Sequence, residues 1–160
     1  MRQLLRGSLA IALAVLCAVA LPRNPIAVAA EVPAFKTADG LTVYIGVMPA
    51  AIVKGHPPGH TEQTMHGGVP KGANEYHVVA ALFDSTTSAR VSDATVTAQI
   101  SGLGLSGVKK KLDSMEIANT TSYGGFFDLP GRDIYTITLT ILRPNQPKPV
   151  TLDFENDYRQ

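Results

Sequence analysis

The chain has one cysteine, no tryptophan, an excess of only one basic residue and no apolar run long enough to cross a bilayer, and each shortage removes a class of protein. Cys17 lies within the N-terminal apolar run, so nothing beyond residue 30 can form a disulfide and a hydrophobic core has to hold the fold. From residue 31 onward, 11 basic residues stand against 13 acidic ones, which takes away the electrostatic footprint of a nucleic-acid binder. The N-terminal run, Leu9 to Leu21, is 13 residues long, whereas a membrane helix needs about 20. Catalytic fingerprints are missing too: there is no nucleophile elbow, P-loop, zinc-protease helix or dinucleotide loop, and no spacing of Ser, His and Asp marks a triad. A non-enzymatic protein is expected.

Arg2 and Arg6 precede the apolar run, and Val28-Ala29-Ala30 offers small residues at the −3 and −1 positions of a cleavage site. That is the pattern of a secretory signal peptide. Residues 1–30 are set aside as leader, and residues 31–160 are read as a single exported domain, periplasmic or secreted. A chain of this length buries roughly two thirds of its unfolded surface, enough for one core.

Seven stretches of that domain carry strand signals, and none of useful length carries helical periodicity. Leu41 to Met48 alternates Leu41, Val43, Ile45 and Val47 with Thr42, Tyr44 and Gly46. Glu75 to Phe83 is apolar on both faces, as a central strand would be. Residues 93–100, 108–117 and 123–129 follow, separated by glycine-rich and polar turns. The clearest signal is Ile134 to Leu142, where Tyr135, Ile137, Leu139 and Ile141 alternate with three threonines. Val150, Leu152 and Phe154 repeat the alternation after a loop with three prolines. Short strands punctuated by Gly, Pro, Asn and Asp predict an all-β, immunoglobulin-like antiparallel sandwich of about seven strands. Tyr135 is placed to form a tyrosine corner, bonding back to the loop just upstream.

The segment KGHPPGHTEQTMHGG, residues 54–68, holds three of the four histidines and one of the four methionines. Pro57, Pro58 and four glycines make it a loop. Imidazole is the commonest metal ligand and a thioether adds a soft donor suited to Cu(I), so His56, His60, Met65 and His66 are candidate ligands. A polar loop with incidental histidines explains the same composition. Met65 and His66 would point apart on an extended backbone, so both could reach one ion only across a turn. His77, on the Glu75–Phe83 strand, is by itself either a core histidine or a ligand. Met115 is either core filler or a ligand.

VYIGVMPAAI, EYHVVAALFD and KLDSMEIANTTSYGGFFDLPGRDIYTITLTILRP, taken in that order and spacing, resemble the periplasmic iron-transport accessory proteins, immunoglobulin-like dimers that bind copper and work beside iron permeases. The resemblance spans about residues 41–155. It implies ligation by His77 and Met115. The family's His-Tyr-Gly stands here as Ser122-Tyr123-Gly124, the glutamate two positions after the strand histidine is replaced by Val79, and a C-terminal histidine has no counterpart. The loop residues His56, His60, Met65 and His66 are then the candidates to complete the site. The expectation is an exported binder of copper, with iron as the alternative, acting as accessory to a membrane metal permease or another envelope protein, with homodimerisation implied by the family. Binding should weaken as pH falls through about 6.5, because imidazole must be neutral to ligate. The competing reading is a non-catalytic interaction module of the cell envelope, which gains if His77 and Met115 face different sides.

Overall fold

The alternating stretches form strands in two antiparallel sheets. The computed structural model describes residues 34–57, 61–104, 106–131 and 133–157; the expected leader and His60 lie outside these described residues. One sheet has the order β1-β2-β3-β7-β6, built from β1 (Phe35–Ala38), β2 (Leu41–Pro49), β3 (Glu75–Asp84), β6 (Asp113–Ile117) and β7 (Thr120–Asp128). The other has the order β5-β4-β8-β9, built from β4 (Thr95–Ser101), β5 (Val108–Lys111), β8 (Ile134–Leu142) and β9 (Val150–Asp157). The architecture is the expected immunoglobulin-like β-sandwich, with nine strands among the described residues rather than about seven.

The period-2 pattern sets which side chains meet between the sheets. β8 turns Tyr135, Ile137, Leu139 and Ile141 inward, and β9 adds Val150, Leu152 and Phe154. Leu41, Val43, Val78, Ala80 and Leu82 face them from β2 and β3, all fully buried. β3 holds the centre of its sheet, as its near-continuous apolar sequence requires. The Tyr135 hydroxyl donates to the carbonyl of Pro130, closing the expected corner.

The two additional strands have local causes. β1 and β2 are joined by Asp39 and Gly40 at φ +46° and +77°, a two-residue turn whose twist suits a hairpin. The stretch 108–117, read as one strand, breaks at Leu112. This residue is buried in the sandwich and donates its N–H to the Val96 carbonyl, while β5 pairs with β4 in one sheet and β6 pairs with β7 in the other. Lys109, Lys110 and Lys111 lie exposed on β5, an edge strand that they guard against further pairing.

Between β2 and β3 the expected loop contains short helical turns: α1 (Ala50–Lys54), α2 (Thr61–Thr64) and a 3₁₀ turn, Met65–Gly67. Helices of four or five residues are too short to show periodicity in sequence, and packing rather than propensity forms them. Ala50 and Val53 pack on Phe126 with Met48 and Val69, making a second, smaller apolar cluster. Phe126 alternates on β7 with the inward-facing Tyr123 and Phe127, so this cluster covers the outer face of the first sheet.

Candidate metal centre

The site lies beneath that cover. His77 is paired across β3 with Met48 on β2 and Phe126 on β7, and is fully buried. Met115 on β6 stands opposite Ser122 on β7 and is 3% exposed. Its position is fixed by the hairpin turn Ala118-Asn119, whose residues both take positive φ, +51° and +59°. These two residues, 38 apart in sequence, flank Gly124: a Cβ built there would lie 2.7 Å from the Met115 sulfur and 2.9 Å from His77 Nε2.

A third donor arrives from the covering segment. His66 sits in the 3₁₀ turn at φ +58°, ψ +25°, the left-handed conformation that histidine tolerates better than most residues. Its Nε2 lies 3.2 Å from Met115 Sδ and 3.4 Å from His77 Nε2. Phe126 walls the cluster, stacked on His77 at 4.7 Å between centroids and edge-on to His66 at 5.7 Å. Asp113, on the same face of β6 as Met115, takes His66 Nδ1 at 2.8 Å.

The contact with Asp113 orients His66. Asp113 accepts from His66 Nδ1–H, which turns His66 Nε2 toward the cluster. His77 Nε2 faces His66 Nε2 at 3.4 Å, and His77 Nδ1 is buried without a hydrogen-bond partner among the described residues. Burial, reinforced by the nearby His66, lowers the His77 pKa to about 4. The ring is therefore neutral at pH 7, the form a metal requires.

The donor set suits a soft ion. Two imidazole nitrogens each about 2.0 Å from one tetrahedral ion stand about 3.3 Å apart, close to the 3.4 Å between His66 and His77. Among the described residues no three of His, Cys, Asp and Glu gather as a metal would need, so a third donor beside the two imidazoles would have to be the Met115 thioether. Two neutral imidazoles with a thioether favour Cu(I). The Asp113 carboxylate is spent on orienting His66 rather than on the vertex.

Of the sequence candidates, the structure brings together His66, His77 and Met115. His56 lies two residues beyond α1, where its carbonyl accepts from the Gln63 side chain, and it is not a third imidazole at this point. Met65 is half-buried in the same turn as His66, and no described contact joins it to the cluster. The turn does intervene after Met65, but it delivers His66. Ser122, where the resembling family carries histidine, is buried with its hydroxyl 3.5 Å from Arg90 Nη2. Val79 is paired with Gly124 and brings no carboxylate. Sequence reasoning passed over Asp113, Gly124 and Phe126. Strand parity was the available signal, since 113 and 115, and likewise 122, 124 and 126, share a face.

No protein-family model matches the chain, and none of the curated proteins matches it. Solved structures do match in fold. A copper-bound variant of FetP from uropathogenic Escherichia coli superposes with a TM-score of 0.60 at 14% identity, covering 78% of this chain and 93% of that one. A copper-bound variant of Campylobacter jejuni P19 gives 0.60 at 12% identity, covering 79% and 94%. A DUF4426 family protein from Pseudomonas aeruginosa gives 0.58 at 11% identity, covering 77% and 94%. The chain shares the fold of these proteins.

Proposed function

We propose that this protein binds copper, as Cu(I) ahead of Cu(II) and of iron, through His66, His77 and Met115. The observation that carries the reading is the meeting of His66 Nε2, His77 Nε2 and Met115 Sδ at one buried place. Iron(II) and Cu(II) gain more from oxygen and nitrogen donors, whereas a thioether selects Cu(I). That copper is bound by FetP and P19 variants of the same fold supports the metal, and the leader-like N terminus supports a place outside the cytoplasm, periplasmic or secreted. The wider role is that of an accessory holding copper for a membrane metal-transport system. The ion is cargo, and the chain's own part is to exclude water, supply two imidazoles and a thioether, and orient one imidazole through Asp113.

Competition with a chromophoric Cu(I) chelator under reductant, beside calorimetric titration with Cu(II) and Fe(II), tests the reading. A saturable Cu(I) site at one ion per chain is expected. Absence of saturable binding at micromolar protein overturns it. The interaction-module reading would have gained from His77 and Met115 on different sides, whereas they flank the same glycine, which supports the metal reading.

A further inference from the structure

We propose that Gly124 sets the room for the ion, so that the cargo space is defined by a missing side chain as much as by the ligands. The inference rests on the copper reading above. A Cβ at residue 124 would stand 2.7 Å from both Sδ and Cε of Met115 and 2.9 Å from His77 Nε2. Ordinary contacts between heavy atoms lie near 3.5–4.0 Å. The space between thioether and imidazole is therefore space that any other residue would fill at its first side-chain atom.

Backbone conformation supplies no competing reason for glycine here. The positive-φ glycines are at 40, 67, 68, 104, 107 and 131, and Gly124 is not among them. It lies in the middle of β7, where glycine weakens a strand and commonly marks close approach by a ligand or another chain segment. Its neighbour Gly125 serves as an internal contrast. A Cβ there would meet Leu112 Cδ2 at 3.2 Å and Phe127 Cε2 at 3.7 Å, on the core side of the same strand.

The two sides of the Gly124 space respond differently to an added methyl group. Met115 presents the flexible end of its side chain, which can swing aside at little cost. His77 cannot, because β3 fixes its backbone and Phe126 stacks on its ring. Gly124→Ala should therefore push the sulfur away from the imidazoles, and because the immobile His77 Nε2 would stand 2.9 Å from the new methyl the metal-free fold should lose stability as well. Gly125→Ala should crowd the core while sparing the site.

Metal-free wild type, G124A and G125A are compared by thermal melting and by Cu(I) competition. Expected are Cu(I) affinity lower by about 10- to 100-fold in folded G124A, and G125A with a lowered melting temperature and unchanged affinity, so that lost stability alone does not account for lost binding. A folded G124A that binds Cu(I) like wild type overturns the inference and leaves the copper reading standing. Wild type that binds no Cu(I) overturns both. M115A against M115A/G124A repeats the comparison with the sulfur contact removed: the glycine must still matter there, through His77 Nε2, and equal residual affinity in that pair overturns the inference as well.

Discussion

Replacing His77 with glutamine removes a buried titrating group while keeping a polar side chain of similar length, and its effect on the metal-free protein depends on pH in a calculable way. The folded-state pKa of His77 is lowered to about 4 by burial and by His66, from 6.5 in the unfolded chain. A histidine held neutral by the fold contributes its full share of stability above the unfolded value. As pH falls below 6.5 the unfolded chain takes up a proton that the folded one refuses, and stability drops by about 1.4 kcal/mol per pH unit until the folded pKa is reached. Between pH 7 and pH 4.5 this amounts to roughly 2.5 kcal/mol, a large fraction of the 5–15 kcal/mol typical of a domain. Urea denaturation of the wild type and H77Q at both pH values, with chelator present, measures it. The wild type should lose about 2.5 kcal/mol more than H77Q over that interval. Parallel losses in the two proteins would refute the buried, neutral His77 on which the site depends.

Asp113→Asn keeps the geometry but removes the charge that holds the His66 proton; Cu(I) affinity should fall by about 10- to 100-fold, while urea denaturation shows little change because the carboxylate is 67% exposed. Tyr135→Phe deletes the bond to the Pro130 carbonyl and should cost about 1 kcal/mol in denaturation, with copper stoichiometry unaltered. Leu82→Ala opens a cavity between the sheets; a loss of about 2–5 kcal/mol is expected, again with one Cu(I) bound per folded chain at a temperature where the variant is folded.

The sandwich was legible because its strongest strands carry period-2 patterns that no helix could satisfy. Ile134–Leu142, with three threonines facing one way, is the plainest case. β1 was also within reach, since Asp39-Gly40 is a hairpin signal with a strand on either side, but four residues of mixed polarity did not stand out. The break at Leu112 was hidden because a strand that changes sheets keeps the alternation of one that does not. The candidate site divides in the same way. His77 and Met115 could be proposed from residue type and resemblance, and His66 as one of four loop candidates. Choosing His66 over its neighbours depended on a left-handed backbone at one residue, which the two glycines after it hinted at but did not specify. Gly124 and Phe126 could not be identified without knowing what lies across from them.

The three candidate donors are held in two different ways. His77 and Met115 are pinned by paired strands, whereas His66 hangs from a short turn followed by two glycines. Under the proposed copper reading, exchange of the ion would begin at the imidazole borne by the turn. An incoming ligand would then replace that imidazole while the strand-borne pair still held the ion, which would favour hand-over by exchange over release into solution.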